Sequence, residues 1–254
     1  MTPFVVVIPA RYASTRFPGK PLAELNGSPM VAHVVERARE SGAREVVVAT
    51  DDARIADAVA NRQCTVAMTR ADHPTGTDRI AEVVTQRGWG DDVIVVNAQG
   101  DEPLLPPDLI REVAASLEQH RDAAIATACH AIADVAEFLD PNAVKVVVDE
   151  DGYALYFSRA PIPWPRDEFK AGQDRLPESL PAYRHIGIYA YRCAFLRRYS
   201  ALQSAAIERY ESLEQLRALA HGYRIAVHTV AQAPPPGIDT PDDLERVRKK
   251  SAPL

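Results

Sequence analysis

The order of elements along the chain predicts an α/β fold with a mostly parallel central sheet flanked by helices. Short apolar segments alternate with amphipathic ones through the first half, which is the pattern of parallel strands joined by helical crossovers. The apolar runs at 46–48 and 93–96 contain no polar residue, as expected of strands buried on both faces. In the second half, a hairpin signal indicates a β-rich insertion.

The first half is predicted to hold four strands and four helices in alternation. Apolar runs predict the strands at Phe4–Ile8, Glu45–Ala49, Thr65–Met68 and Val93–Asn97. Amphipathic spacing predicts the helices at Pro29–Ser41, Ala53–Ala60, Thr77–Gln86 and Pro107–Gln119.

From Val144 the pattern changes. Two apolar segments, 144–148 and 153–158, are separated by turn residues and predict a β-hairpin. The stretch from Ala160 to Pro181 is rich in proline and charge, so we expect a mobile excursion without a regular element. The remaining predicted elements are a strand at Arg184–Tyr191, a helix at Ser212–His221, a strand at Ile225–Val230 and a C-terminal helix at Thr240–Lys250, which Thr240-Pro241-Asp242-Asp243 would cap.

Composition narrows the class of protein. With 254 residues, of which 46% are hydrophobic, the chain can form one domain over 1–254 with an insertion at roughly 144–230. Its net charge of -6 argues against a nucleic-acid partner, and no apolar stretch is long enough to span a bilayer. The three cysteines are scattered and show no zinc or redox spacing. These features predict a cytoplasmic enzyme with no membrane partner.

The loop after the first predicted strand, residues 9–21, carries the cations Arg11, Arg16 and Lys20. Such a loop presents free backbone N–H groups, and these side chains add charge-assisted hydrogen bonds to phosphate oxygens. Gly19 is its only glycine, so the G-x-G-x-x-G pattern of dehydrogenases is missing, and no P-loop motif occurs in the chain. The pattern favours a polyphosphate site, although a solvated surface loop would look similar. It suits an enzyme that stabilises a leaving pyrophosphate.

Two aspartates are candidate metal ligands. Asp101 follows a predicted buried strand in a Gly-Asp-Glu-Pro turn, and Asp239 directly precedes the last helix. Either residue alone is more often a turn or cap residue. Together with the basic loop, however, two hard carboxylates favour Mg²⁺, which completes its coordination with phosphate and water. The ligand of such a sheet binds beyond the carboxyl ends of the strands, where these loops converge.

The chain resembles the 3-deoxy-manno-octulosonate cytidylyltransferases, or CMP-Kdo synthetases. The resemblance is carried first by Ile8–Leu22, with the sequence IPARYASTRFPGKPL. It continues in order through Thr69–His73, Gln99–Pro103, Asn142–Val146, Tyr156–Arg159, His185–Tyr189, Leu213–Arg217 and Asp239–Pro241, and so covers essentially the whole chain. It implies the α/β fold of nucleotide-diphospho-sugar transferases, a variant of the Rossmann fold.

The resemblance implies an enzyme that transfers CMP from CTP to an acidic eight-carbon sugar, with Mg²⁺ as cofactor, for lipopolysaccharide biosynthesis. The implied catalytic residues are Lys20, Asp101, Asp239 and Arg11, of which Asp101 and Asp239 would hold the metal. The implied CTP-binding residues are Ala10, Arg11, Ser14, Arg16, Lys20, Arg70, Thr75, Gly76 and Gln99. This chain has Thr75-Gly76-Thr77 where the family often has Ser-Gly-Thr, a departure that leaves backbone contacts intact.

The sugar-binding residues implied by the resemblance are Arg159, His185, Tyr189, Glu214 and Gln215. An arginine at the end of a hairpin strand can bind the sugar carboxylate through two hydrogen bonds. His185 and Tyr189 are four residues apart on a predicted strand, so both side chains should lie on one face. The resemblance also implies a homodimer, with the insertion supplying sugar-pocket residues and dimer contacts.

Two alternatives remain at this point. A cytidylyltransferase for 8-amino-Kdo or a related sugar acid would share the phosphate loop and the metal residues. A nucleotide-binding module without catalytic activity is less favoured, because Lys20, Asp101 and Asp239 are all present.

Overall fold

The computed structural model describes residues 3–13, 17–170 and 172–251, except for the side chains of Lys250 and Ser251. Ser14 and Arg16, two of the predicted CTP-binding residues, lie outside the described residues. Within these ranges no helix has the length and apolar character needed to cross a membrane.

The described elements have the following bounds. The strands are β1 (Phe4–Ala10), β2 (Glu24–Leu25), β3 (Ser28–Pro29), β4 (Glu45–Thr50), β5 (Thr65–Met68), β6 (Ile94–Asn97), β7 (Ala123–Ala131), β8 (Lys145–Val148), β9 (Ala154–Ser158), β10 (Tyr183–Arg192) and β11 (Arg224–Val230). The α-helices are α1 (Met30–Glu40), α2 (Ala53–Val59), α3 (Gly76–Arg87), α4 (Pro107–Gln119), α5 (Val135–Leu139), α6 (Cys193–Tyr199), α7 (Ala206–Glu211), α8 (Gln215–Ala220) and α9 (Pro241–Ser251). Single 3₁₀ turns cover Lys20–Leu22 and Glu168–Lys170.

The first of two compact units comprises residues 1–115, 190–200 and 234–254. Its strand β1 pairs in parallel with β4 on one side and β6 on the other, and β4 pairs in parallel with β5. The side chains of Val5 to Ile8 are fully buried, because a central parallel strand is covered on both faces. The parallel arrangement brings the loops that follow β1, β4 and β6 to the same edge of the sheet.

The second unit comprises residues 116–189 and 201–233. Its strand β7 lies between β11 and β10 and pairs in parallel with β11. Strand β8 pairs antiparallel with both β9 and β10. The predicted hairpin is confirmed as β8 and β9, with a turn closed by a hydrogen bond of 2.8 Å from the Asp149 N–H to the Tyr153 carbonyl. The unit begins at residue 116, so it includes more of the chain than the insertion predicted at roughly 144–230.

The sequence correctly predicts the α/β class and most elements, but it misses six. The two-residue strands β2 and β3, strand β7 and helices α5, α6 and α7 were not predicted. The prediction of one helix over Ser212–His221 is wrong at its start, because Ser212 has a left-handed φ of 52° and separates α7 from α8. The stretch 160–181 contains a 3₁₀ turn, whose Phe169 is buried in a cluster with Phe138.

Candidate active site

The loop after β1 is held at its described ends by contacts within the first unit. The Gly19 N–H donates to the Tyr12 carbonyl at 3.0 Å, and Gly19 has a φ of +70°, a conformation that favours glycine. The Arg54 guanidinium stacks on the Tyr12 ring, 3.6 Å from its centroid. Asp52 caps α2 and pairs with Arg54 at 2.6 Å. Lys20 follows Gly19 directly, so this turn sets its direction.

Lys20 brings together the two predicted metal-binding carboxylates. Its ammonium nitrogen lies 2.5 Å from an Asp101 oxygen and 3.2 Å from an Asp239 oxygen. The Lys20 side chain is 12% exposed, whereas those of Asp101 and Asp239 are 31% and 51% exposed. The three residues are separated by as many as 219 positions in the sequence, yet their charged groups converge at one point.

Backbone contacts fix this convergence. The Ile238 N–H donates to the Asp101 carbonyl at 2.9 Å, which holds the segment before α9 beside the loop after β6. The Asp243 carboxylate accepts from the N–H groups of Asp239 at 3.1 Å and Thr240 at 2.9 Å. The Thr240 hydroxyl in turn accepts from the Asp243 N–H at 3.2 Å, so the predicted cap of α9 is confirmed.

Gly100 allows the β6 loop to approach β1 closely. A Cβ atom at Gly100 would lie 3.1 Å from the Pro9 carbonyl oxygen and 3.5 Å from the Ala10 Cβ. Backbone oxygen cannot move aside as a flexible side chain can. Gly100 therefore permits Asp101 to lie next to the end of β1.

A third carboxylate, Glu102, belongs to the same electrostatic environment. Burial and the charges of Asp101 and Asp239 raise the pKa of Glu102 to about 7, although the Lys20 ammonium opposes this rise. No group of three or more His, Cys, Asp or Glu side chains that could hold a metal occurs within the described ranges. Two convergent carboxylates nevertheless fit Mg²⁺, which takes few protein oxygens and fills its other positions with phosphate and water.

A cavity of about 590 Å³ opens beside these residues in the first unit. Seven of the predicted CTP-binding or catalytic residues line it: Ala10, Arg11, Lys20, Thr75, Gly76, Gln99 and Asp101. Arg70 is not among the lining residues; its side chain is 69% exposed and pairs with Asp72 at 3.2 Å. The cavity therefore combines cations with a carboxylate, and its volume is in the range of small-ligand sites.

Among the lining residues with polar side chains, the sequence did not predict three, namely Tyr12, His73 and Arg79. Arg79 is only 3% exposed, donates to the Thr69 hydroxyl at 2.5 Å and lies 3.1 Å from an Asp51 oxygen. In the sequence it looks like a residue of a solvated helix face. The only available signal was its place between the apolar positions of α3, which sheet packing buries.

His73 ties the loop before α3 to the helix itself. Its Nε2 atom contacts the Glu82 carboxylate, which also accepts from the Arg70 N–H at 3.1 Å. Burial alone would raise the pKa of Glu82, but the hydrogen bonds from His73 and the Arg70 backbone outweigh it and lower that pKa. The loop that leads to Thr75 and Gly76, at the start of α3, is thus anchored to the helix.

The five predicted sugar-binding residues all lie in the second unit. The rings of His185 and Tyr189 are 5.3 Å apart, so the two residues share a face of β10 as predicted. Gln215 is 5% exposed, and its Nε2 atom has no hydrogen-bond partner among the described residues. Glu214 is the residue immediately before α8, a helix that packs against β9. Arg159 follows β9 directly and donates through Nε to the Glu211 carbonyl at 2.7 Å.

Thr127 sets the tautomer of His185. The Thr127 oxygen lies 2.7 Å and 3.2 Å from the carbonyl oxygens of Ile188 and Ile186, and 2.9 Å from the His185 Nε2. Carbonyls only accept, so the hydroxyl proton points to one of them and the hydroxyl must accept from His185. Burial lowers the pKa of His185 to about 3. His185 is therefore neutral near pH 7, with its proton on Nε2 and a lone pair on Nδ1.

Comparisons with known proteins show what the whole chain is similar to. A sequence model of the cytidylyltransferase family matches residues 5–225. The chain is 45% identical, over 98% of both chains and with a TM-score of 0.88, to a structure of CMP:2-keto-3-deoxy-manno-octonic acid synthetase complexed with CTP.

Two more distant structures share the fold. A cytidylyltransferase from Leptospira borgpetersenii serovar Hardjo-bovis (strain JB197) is 16% identical over 97% of this chain and 85% of its own, with a TM-score of 0.61. A nucleotidyl transferase from Methanothermobacter thermautotroptrophicus is 17% identical over 98% of both chains, also with a TM-score of 0.61.

Proposed function

The chain belongs to the cytidylyltransferase family, and on that premise we propose that it transfers CMP from CTP to 3-deoxy-D-manno-octulosonate (Kdo), producing CMP-Kdo and pyrophosphate. The observation that carries the proposal is the convergence of Lys20, Asp101 and Asp239, of which Lys20 and Asp101 line a cavity of nucleotide size. The choice of sugar rests on the likeness to the synthetase complexed with CTP. The name of that synthetase contains 2-keto-3-deoxy-manno-octonic acid, which is Kdo.

The first unit is the proposed CTP site. Lys20 and Arg11 line the cavity and bind the triphosphate, because ammonium and guanidinium groups form charge-assisted hydrogen bonds with phosphate oxygens. Thr75, Gly76 and Gln99 lie on the same cavity wall and contact the nucleoside. Arg70 and the undescribed Arg16 and Ser14 keep the CTP-binding roles that the family resemblance implies.

Asp101 and Asp239 would hold Mg²⁺, together with phosphate oxygens of the nucleotide. When bound, the metal would supply positive charge at the α-phosphate and lower the pKa of the attacking hydroxyl. The chain's own contribution is to hold both carboxylates at one point through the Ile238 and Asp243 hydrogen bonds. The Lys20 ammonium stabilises negative charge as it develops on the leaving pyrophosphate.

The second unit is the proposed sugar-acid site. Arg159 is the cation that binds the sugar carboxylate. Neutral His185 can accept a hydrogen bond from a sugar hydroxyl through Nδ1, because Thr127 holds its proton on Nε2. Tyr189, Glu214 and Gln215 supply further polar groups for the hydroxyls of an eight-carbon sugar.

The chemical step is an in-line displacement at phosphorus. The anomeric hydroxyl of the sugar attacks the α-phosphorus of CTP and transfers its proton to solvent water as the new P–O bond forms. The bond from the α-phosphorus to the bridging oxygen breaks on the opposite side, and pyrophosphate leaves. Positioning and charge stabilisation account for the catalysis, and no covalent intermediate with the protein is needed.

The deciding experiment measures pyrophosphate release with a panel of nucleoside triphosphates and acidic sugars in the presence of Mg²⁺. We expect release with CTP and Kdo and identification of the product as CMP-Kdo. A preference for 8-amino-Kdo would replace the proposed substrate with that analogue. Binding of CTP without pyrophosphate release in any combination would instead favour a non-catalytic nucleotide-binding module.

Arg159→Ala separates the two proposed sites. We expect it to raise the KM for the sugar acid and to leave the KM for CTP nearly unchanged. Equal loss of both affinities would contradict the assignment of Arg159 to the sugar.

A homodimer and a cytoplasmic location complete the proposal, and both rest on the family resemblance. Sedimentation of the purified protein measures the first, and cell fractionation the second.

A further inference from the structure

Lys145 is a fully buried lysine whose hydrogen bonds are all made to backbone. Lys145 is the first residue of β8, and it has no exposed surface. The ammonium donates to the carbonyls of Asp140 at 2.8 Å, Ala143 at 2.5 Å and Arg159 at 2.8 Å. An ammonium group has as many donors as there are carbonyls here, so its hydrogen-bonding capacity is saturated. Burying such a charge is costly unless it is fully paired, so a specific role is expected.

The three carbonyls belong to two segments that Lys145 joins. Asp140 and Ala143 lie in the chain before β8, and Arg159 directly follows β9. Burial lowers the pKa of Lys145, whereas the Asp140 and Glu211 carboxylates act in the opposite direction. The lysine thus fixes the backbone of Arg159 against residues 140–143.

Glu211 holds the same residue from another side. Its carboxylate accepts from the Arg159 N–H at 2.9 Å and from the Ser158 hydroxyl at 2.6 Å. Its backbone carbonyl accepts from the Arg159 Nε at 2.7 Å. Lys145 therefore holds the carbonyl of Arg159, and Glu211 holds both its backbone N–H and the base of its guanidinium.

These contacts leave one end of the guanidinium available. Nε donates to Glu211, and Nη1 donates to the Pro141 carbonyl at 3.1 Å. None of the described residues accepts a hydrogen bond from Nη2. The planar guanidinium is thus held by neutral backbone oxygens, which do not compensate its charge, and it keeps donors for an external carboxylate.

We infer that Lys145 and Glu211 are positioning residues that clamp Arg159 in the orientation that binds the carboxylate of the sugar acid. The inference rests on the proposed function, because it assigns a supporting role to residues around the proposed sugar-acid site. It also gives a role to the segment Asn142–Val146, whose similarity to the family had no functional explanation.

The test compares Lys145→Met, Glu211→Gln and Glu211→Ala in the full-length protein, with Kdo and CTP varied separately in the pyrophosphate assay. We expect Lys145→Met and Glu211→Ala to raise the KM for Kdo by about 10-fold or more, the size of effect seen when groups that orient metal ligands are removed. The KM for CTP should change by less than about 3-fold. Glu211→Gln keeps one acceptor oxygen, so its KM for Kdo should fall between those of wild type and Glu211→Ala.

Ile225→Val is the matched control, because Ile225 is also fully buried in the second unit but lies on β11. It lowers stability without touching Arg159, and both KM values should stay at the wild-type level. If Lys145→Met does not fold, the partly exposed Glu211 series decides. In an Arg159→Ala background, Glu211→Ala should then add no further increase in the KM for Kdo.

The outcomes distinguish a failure of the clamp from a failure of the proposed function. An active wild type in which the Glu211 variants change both KM values equally, or neither, overturns the clamp and leaves the proposed function standing. A wild type that releases no pyrophosphate with Kdo overturns the proposed function and the clamp with it.

Discussion

Replacing Lys20 by methionine tests the role of its ammonium group, which contacts both candidate metal-binding carboxylates. Methionine has a similar length but no charge, so the cavity wall keeps its shape. The substitution removes the ammonium that lies 2.5 Å from the Asp101 carboxylate and 3.2 Å from that of Asp239. It also removes a cation from the cavity assigned to the triphosphate.

The expected effects on stability and turnover differ in size. Asp101 and Asp239 are 31% and 51% exposed, so solvent screens their repulsion and the free energy of unfolding should fall by about 1 kcal/mol or less. In the reaction, Lys20 acts as a preorganised donor to the leaving pyrophosphate. Loss of such a donor slows turnover by roughly 10² to 10³, which corresponds to about 3 to 4 kcal/mol in the barrier.

The assay is pyrophosphate release at saturating CTP and Kdo, combined with chemical denaturation. Lys170→Met is the matched control, because Lys170 is 63% exposed and its one ion pair with a described residue is the surface pair with Asp167. The control should keep wild-type turnover. Turnover of Lys20→Met within about threefold of wild type would refute the role given to Lys20. A stability loss of several kcal/mol would show that the lysine is mainly structural.

Three further predictions concern other parts of the two units. Asp239→Asn should abolish most Mg²⁺-dependent turnover. It should change the free energy of unfolding by less than about 1 kcal/mol, because the side chain is half exposed. An Mg²⁺ titration of turnover that matches the wild type would contradict this prediction. Gly100→Ala should destabilise the protein by about 1 to 3 kcal/mol and raise the KM for CTP, because the alanine Cβ would lie 3.1 Å from the Pro9 carbonyl oxygen. A variant with wild-type denaturation and kinetics would argue against a tight loop. The pKa of His185 falls to about 3 on folding, so the unfolded chain alone takes up this proton as the pH drops below about 6.5. Stability should therefore decrease on acidification by up to about 1.4 kcal/mol per pH unit between pH 6.5 and 5, and His185→Gln, measured by denaturation at both pH values, should lose that part of the slope.

Strand β7 shows why some of the fold could not be predicted from sequence. Its residues, AAIATACHA, are mostly small and have no clear alternation. Alanine favours helices, and the expected β-branched and aromatic residues are largely missing. The segment is nevertheless a strand, because β10 and β11 on either side complete its hydrogen bonds and bury it. This tertiary context outweighs local propensity.

Two buried cations, Arg79 and Lys145, show a similar limit to what the sequence predicts about functional residues. Arg79 lies in an amphipathic helical segment and Lys145 in a run of valines, and sequence alone would assign both charged side chains to solvated faces. Their burial depends on partners that are distant in the chain, such as Asp51 for Arg79 and the Arg159 carbonyl for Lys145. No local pattern records such partners.

The amino-acid sequence by itself determined the α/β class, the positions of the loops that carry chemistry and the resemblance to the cytidylyltransferases. These features depend on local periodicity and on residue types, which can be read directly along the chain. Only the tertiary structure decided that Lys20, Asp101 and Asp239 meet at one point, that Thr127 sets the proton of His185, and that Lys145 and Glu211 hold Arg159. Such features depend on distances between residues far apart in sequence, and these distances exist only once the strands have paired and the core has packed.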